Sequence, residues 1–342
     1  MSVASEKMVS LQPAEAAARP LNLAFVLDPL PGLKAYKDSS IAMMRAAATR
    51  GHAVFAIDCA TLGWRRPESA GPGGVFGTAV HLHMQSDNHD WFREIGRDRI
   101  PLTDFDAVVM RRDPPFDNEY LTATWLLERA EAAGVRVFNR PRALRDHSEK
   151  VAIAEFPQFA PATLISRDVE QLQQFIDEHT DVILKPLDGM GGSQIFRVRH
   201  ADPNRNVIIE TLTREGARTI MAQRYLPEIV AGDKRILIIA GQPVPYCLAR
   251  IPKAGETRGN LAVGGTGVAQ ALTARDREIA ETLGPILFDR GLLLVGIDVI
   301  GSHLTEINVT SPTCMVEIHR ETGFDAAALF IAAVEKACTA VA

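Results

Sequence analysis

The sequence predicts an α/β protein, α+β overall, in which an open α/β domain comes first and a differently ordered second part follows. Three observations carry this reading. Apolar runs of strand length alternate with capped helical segments up to about residue 140; the order of elements changes near Ser148; and two apolar, β-branched runs near the C-terminus form a hairpin that carries Asp298, Glu306 and Asn308. With 342 residues, 46% of them hydrophobic, the chain is long enough for two or three domains with cores of their own.

Charge and cysteine usage narrow the function classes. A formal net charge of −5 without a long Lys/Arg run argues against nucleic acid or a membrane surface as the main partner, and leaves basic residues to matter locally. No apolar stretch approaches the roughly 18 residues of a membrane-spanning helix. Cys59, Cys247, Cys314 and Cys338 form neither a CxxC pair nor a zinc-like spacing, so a reduced, cytoplasmic setting is expected, with all four as packing residues. Residues 1–20 place Glu6, Lys7, Glu15 and Arg19 among alanines, which suits a flexible tail and not a secretory signal.

The first domain opens with an apolar strand over 21–27, then Asp28-Pro29 and a Pro31-Gly32 loop. Asp38 or Ser39 caps a helix over 41–50, and Gly51 ends it before a second strand over 53–57. The same order returns at 106–110, 118–133 and 135–138, the pattern of a parallel sheet. Within it, residues 71–77 read as a glycine-rich, flexible insertion. No GxGxxG follows the first strand and no G-x-x-x-x-G-K-[ST] occurs, so the two commonest phosphate-binding motifs are missing.

After Ser148 the pattern predicts a helix over 169–179, a strand over 182–185, a glycine-rich turn and a strand over 195–198, which together resemble a hairpin flap. A helix over 207–212, a strand over 220–225 and a meander over 233–250 follow. Then come a polar loop over 252–267, a helix over 273–290, the acidic hairpin, and a last helix over 324–338.

Chemistry concentrates in three places. Lys185 ends an apolar strand just before Gly189, Gly191, Gly192 and Ser193; such glycines let backbone N–H groups turn toward an anion, so this is either a phosphate nest or an ordinary hairpin turn. Arg235, Arg250 and Arg258 are repeated cations in a mildly acidic chain, the last on the long loop, which is either a lid or a surface insertion. In the acidic hairpin, alternation puts Glu306 and Asn308 on one face with Asp298 beside them. The spacing leaves open a hard-cation site completed by phosphates, or acids that cap turns and pair with bases. His81, His83 and His89 have no third ligand at a recognised spacing and read as structural.

Taken together, the blocks RRDPPFD (111–117), Ser148-Glu149-Lys150, ILKPLDGMGG (183–192), GETRGNLA (255–262) and LTEINVTSPT (304–313) closely resemble the prokaryotic glutathione synthetase family of the ATP-grasp superfamily. From residue 21 onward the resemblance covers nearly the whole chain. It implies an ATP-grasp fold preceded by an N-terminal open α/β (pre-ATP-grasp) domain. The expected division is a tail over 1–20, a substrate-binding α/β domain over 21–147, a small flap domain over 148–220, and a C-terminal ATP-grasp domain over 221–342 with 252–267 as its mobile loop. The resemblance also implies that Lys150, Lys185, Gly189, Gly191, Gly192, Ser193, Gln223, Tyr225, Leu226 and Asp233 bind ATP, and that Asp298, Glu306 and Asn308 hold Mg²⁺, with Mn²⁺ able to substitute. Asp38, Ser39, Arg111, Arg235, Arg250 and Arg258 are expected at the peptide substrate, with Arg235, Arg258 and Lys185 catalytic.

The implied reaction is the ATP-dependent ligation of γ-glutamylcysteine and glycine through an acyl phosphate, by a cytoplasmic homo-oligomer, commonly a tetramer. Two other readings share the scaffold. A carboxylate–amine ligase for a different peptide would depart at Asp38, Arg111 and 250–260. A non-catalytic ATP-binding protein has less need of the full set Lys185, Asp298, Glu306 and Asn308.

Overall fold

Three sheets organise the chain in the computed structural model, which describes residues 19–66, 73–261 and 264–339. Residues 1–18, most of the expected tail, and Gly71 and Pro72 of the expected insertion lie outside the described residues.

The first sheet is built from β1 (Asn22–Leu27), α1 (Ser39–Thr49), β2 (Ala53–Asp58), β3 (Gly63–Arg65), β4 (Gly74–Met84), β5 (Phe92–Pro101), β6 (Ala107–Met110), α2 (Asn118–Ala132) and β7 (Arg136–Phe138), followed by α3 (Pro141–Asp146). Its order is β3-β4-β2-β1-β6-β7, with β5 on β4. The predicted parallel half is present: β1 pairs with β2 and β6, and β6 with β7, all parallel. The other half is antiparallel, through β2–β4, β3–β4 and β4–β5. That hairpin escaped the sequence reading because β5 is exposed over most of its length and carries charges where an apolar alternation would announce a strand. Gly74 to Gly77 of the expected flexible insertion form the start of β4. Asp38 caps α1, its Oδ1 accepting from the Ser40 and Ile41 N–H groups, so the capped helix is built as the sequence suggested.

The second sheet holds β8 (Thr163–Ser166), β9 (Asp181–Pro186), β10 (Phe196–Arg199) and β11 (Ile220–Arg224) in the order β10-β9-β11-β8, with α4 (Val169–His179) and α5 (Arg205–Thr213). Leu172, Phe175 and Ile176 recur at helical spacing and bury one stripe of α4 against Val182, Leu184, Val198, Ile220 and Ala222, a core separate from the rest of the protein. The line expected between residues 220 and 221 cuts into β11, which is hydrogen-bonded to both β8 and β9. Pairing therefore puts the edge of this small layer after Arg224.

The third sheet, order β14-β13-β12-β15-β16, consists of β12 (Asp233–Ile239), β13 (Gln242–Ile251), β14 (Thr266–Ala271), β15 (Leu294–Ile300) and β16 (His303–Asn308), with α6 (Ala274–Asp289), α7 (Met315–Thr322) and α8 (Ala326–Thr339). The expected 252–267 loop ends earlier, since Thr266 and Gly267 already pair with Ile251 and Arg250; Ala262 and Val263 of that loop lie outside the described residues. Residues of the first and third sheets share two continuous clusters, one joining Ala24, Val26 and Val108 to Ile236, Val299 and Ile307, the other joining Leu23 and Met44 to Leu237, Ile318 and Phe330. The first and third sheets thus form one body, and the small layer sits on it with a core of its own. Among the described residues no helix is long and apolar enough to cross a membrane.

Candidate active site

Strand register places the charged groups. Asp233 faces Arg250 across β12–β13, Arg235 faces Asp298 across β12–β15, and in the acidic hairpin Asp298 faces Glu306 while Gly296 faces Asn308. Residues two apart share a face, so these pairs gather acids and bases in a row across one side of the third sheet. A Cβ at Gly296 would meet Cδ of Arg235 at 2.9 Å, so the glycine leaves the space in which that side chain lies.

The row is tightly bonded. Arg235 Nε donates to Asp298 Oδ1 at 2.5 Å and Nη2 to Oδ2 at 3.0 Å; Arg250 Nη2 donates to Asp233 Oδ2 at 2.5 Å and lies 3.0 Å from Asp298 Oδ2. Burial pushes Asp298 upward, but Arg235 and Arg250 outweigh it and hold the carboxyl well below the usual range. Glu306 follows the same pattern: burial raises it, and Lys150 and Lys185 bring it below its ordinary value. Asp233 goes the other way. Burial dominates there, Arg250 offsets only part of it, and nearby Asp298 and Glu306 add to the rise, leaving Asp233 pushed up to about 6 with Oδ1 buried and, among the described residues, unpartnered.

The small layer supplies the opposite wall. Lys185, in β9, donates from Nζ to Glu306 Oε1 at 3.0 Å across the gap between the sheets. Lys150 Nζ donates to the carbonyl of Gly189 at 2.8 Å and lies 3.8 Å from Glu306 Oε1. In the glycine loop Gly191 and Gly192 take φ of +62° and +82°, the left-handed region that glycine reaches without strain. A Cβ at Gly192 would strike Asn260 Oδ1 at 2.8 Å, because the long loop is folded against it: Arg258 Nη1 donates to Gly192 O at 3.1 Å while its Nη2 holds Glu256 at 2.6 Å.

Two cavities meet here. The first, about 870 Å³, lies between the small layer and the third sheet, and is lined by Lys150, Lys185, Gly189, Gly191, Gly192, Ser193, Gln223, Tyr225, Leu226 and Asp233, all the positions the sequence reading gave to a nucleotide. The second, about 1370 Å³, is lined by Asp38, Arg235, Arg250 and Asn308 among the expected positions. Asp298, Glu306, the glycine loop and Asn260 line both. Three expected substrate residues stand elsewhere. Arg258 lines the first cavity and not the second. Ser39 is buried, its Oγ accepting from the Met315 N–H at 3.2 Å, and Arg111 is buried behind the wall, donating to Ser40 Oγ and to the Pro312 carbonyl at 3.0 Å each, with Nη1 unpartnered.

Among the described residues no three His, Cys, Asp or Glu side chains gather into a group that would hold a metal by themselves. The donors present are two carboxylates and an amide. Asn308 spends its Nδ2 on Gly296 O and Asp298 Oδ2, which leaves its amide oxygen for a cation. Two ionised carboxylates, each already facing a base, plus one amide oxygen fit a hard divalent ion that arrives with phosphate oxygens to complete its shell.

The sequence reading passed over several wall residues. Asn260 and Met190 close the first cavity; Lys37, Glu149 and Glu317 line the second. Lys37 and Glu149 adjoin singled-out residues and were within reach. Glu317 carried no signal, since an acid in a first helical turn is ordinary complementation of the helix dipole.

Comparison with known families settles the lineage. The model of the prokaryotic glutathione synthetase N-terminal domain matches residues 21–145, and that of the ATP-grasp domain of the same synthetases matches residues 149–323. The chain belongs to the prokaryotic glutathione synthetase family. It is similar to the glutathione synthetase of Nitrosomonas europaea, with 58% identity covering 92% of this chain and 98% of that one. The corresponding protein of Ralstonia nicotianae is 55% identical, covering 93% of this chain and 96% of the relative. In fold it is similar to the ATP-grasp ligase PsnB (TM-score 0.61, 17% identity, covering 94% of this chain and 100% of that one). The D-cycloserine synthetase DcsG is comparable (TM-score 0.63, 15% identity, covering 93% and 100%). The fold is therefore ATP-grasp behind an N-terminal α/β domain, and membership in this synthetase family makes the protein an ATP-dependent ligase, with a divalent metal implied in general.

Proposed function

We propose that this chain joins γ-L-glutamyl-L-cysteine to glycine, forming glutathione and releasing ADP and phosphate. The observation that carries the reading is the wall shared by the two cavities: one suits a nucleotide, the other is rimmed by the cations a carboxylate substrate needs, and Asp298 and Glu306 stand where they meet.

In this reading residues 21–147 hold peptide substrate, the small layer grips the nucleotide, and the third sheet carries the reacting groups. Lys150 and Lys185 exchange Gly189 O and Glu306 for ATP phosphates, with Gly189, Gly191, Gly192 and Ser193 covering them and Gln223, Tyr225 and Leu226 meeting the base. Asp298, Glu306 and Asn308 would hold Mg²⁺, or Mn²⁺ in its place, which neutralises charge on the transferring phosphoryl group. The cysteinyl carboxylate oxygen attacks the γ-phosphorus and ADP leaves. Glycine's amine then attacks the acyl carbon, the C–O bond to phosphate breaks with phosphate taking the electron pair, and the amine gives up its proton. Arg235 and Arg250 lie beside the place where the oxyanion forms and would stabilise it. Arg258, on the loop folded over the glycine turn, keeps water from the acyl phosphate. A cytoplasmic homotetramer belongs to the same reading.

Phosphate release is the test, measured with ATP and Mg²⁺ and with γ-glutamylcysteine and glycine each omitted in turn. Release that needs both, with glutathione formed in equal amount, is expected. No release in the complete mixture would remove this function.

A further inference from the structure

The second cavity holds more acids than its cations explain, and all but one have work to do. Asp38 Oδ1 accepts from two N–H groups at the start of α1; Asp113 accepts from Ser311 Oγ at 2.5 Å; Glu149 Oε1 accepts from the Val309 and Thr310 N–H groups and from Thr310 Oγ1. Asp298 and Glu306 are ion-paired. Glu317, in the first turn of α7, is 8% exposed, lines the cavity, and keeps Oε2 buried with no hydrogen-bond partner among the described residues. Burial raises its pKa, and its own backbone N–H, Arg320 and Lys37 pull it down only in part. A buried carboxylate oxygen left unpaired is costly and calls for a partner from outside the chain.

Position narrows the chemistry of that partner. Glu317 lines the second cavity together with Cys314, the residue before α7, and with Arg235 and Arg250. It does not line the nucleotide cavity. Lys37 lines the same cavity. An acid and a lysine together, outside the nucleotide cavity, suit a zwitterionic amino-acid head, with carboxylate toward the lysine and ammonium toward the acid.

We infer that Glu317 is a specificity-determining residue that accepts the α-ammonium group of the γ-glutamyl end of the peptide substrate. The inference rests on the function proposed above, and gives the far end of that substrate a partner.

The discriminating probe is glutaryl-cysteine, which keeps the chain and both carboxylates of γ-glutamylcysteine and lacks the ammonium. In the full-length protein, kcat/KM for glycine-dependent phosphate release is expected to favour γ-glutamylcysteine by roughly 10- to 100-fold, the size of a charged hydrogen bond. In Glu317→Gln that preference should collapse to within about threefold, through a raised KM for γ-glutamylcysteine and not through kcat, with glutaryl-cysteine little changed. Glu317→Asp should keep part of it. A wild-type protein that does not distinguish the two peptides, or a Gln variant that retains the full preference, overturns the inference alone. Failure of the wild type to turn over γ-glutamylcysteine at all overturns the function and the inference with it.

Discussion

The cavity we assign to the nucleotide and the one we assign to the peptide share a wall and differ in how the rest is held. Around the first, the cross-gap contacts are made by long cationic side chains: Lys185 to Glu306, Lys150 to Gly189 O, and Arg258 to Gly192 O. The small layer keeps a core of its own, with Met221 of β11 joining the larger cluster, and a ligand could take over those donors without unmaking either core. Around the second, buried groups brace the backbone itself: Arg111 holds Pro312, Ser39 holds Met315, and Glu149 holds Val309 and Thr310. The first cavity is thus bridged by side chains that a ligand could displace, and the second is framed by backbone held from behind. Each also keeps one buried carboxylate oxygen unpaired, Asp233 Oδ1 on one side and Glu317 Oε2 on the other.

The largest effect is expected where the comparison ends, at the shared wall. Asp298→Ala leaves Arg235 and Arg250 buried with the loss of their common counter-charge, which should cost roughly 3–5 kcal/mol in urea unfolding. Ligation should fall by about 100- to 1000-fold, the scale of losing a preorganised charge at the reacting centre. A variant within tenfold of wild-type turnover and equally stable would show that the two cavities do not depend on one wall.

How much of this was legible follows the same division. The first cavity is written in short stretches, with Lys185 and its glycines within nine residues and Gln223, Tyr225 and Leu226 within four, so the family resemblance could name its lining block by block. The peptide side gathers Asp38, Arg235 and Glu317 from three distant elements, and nothing local marks their meeting. Arg111 shows the limit: the motif around it is plain, yet its guanidinium turns into the protein to bond Ser40 and Pro312, which only packing decides. The strands β4 and β5 were missed for a related reason. They form an antiparallel pair, and the exposed partner, β5, has no apolar alternation to read.

A middle-sized effect tests the bridged cavity. Arg258→Ala removes the bond to Gly192 O and the pair with Glu256, and should raise KM for ATP by about tenfold while leaving KM for the peptide within twofold. Shortening residues 255–265 should go further and raise ATP hydrolysis relative to ligation by about tenfold, because the acyl phosphate then meets water. An unchanged ratio would mean that the loop covers the turn without protecting the intermediate. A shift in peptide KM with ATP KM unchanged would return Arg258 to the peptide side.

The smallest effect is a difference in sign within the charged row. Asp233, ordinarily near 3.8, is pushed up to about 6 in the folded protein, so between those values the folded state holds a proton that the unfolded state has lost. The stability this contributes is fully present below about pH 4 and is lost as pH rises through 6. Asp298, held below its ordinary range, contributes in the opposite sense: its stability is present above about pH 4 and lost as pH falls. Bulk pH titration of the wild type mixes the two, and Asp233→Asn separates them. Without nucleotide or divalent metal, the variant's urea midpoint relative to wild type should climb steadily from pH 4 to pH 6.5 and level off above it, because the cost of ionising Asp233 is then paid in the wild type alone. A difference that stays flat across that range would mean Asp233 ionises as it does in the unfolded chain, and the unpaired oxygen would lose its standing as the nucleotide-side counterpart of Glu317.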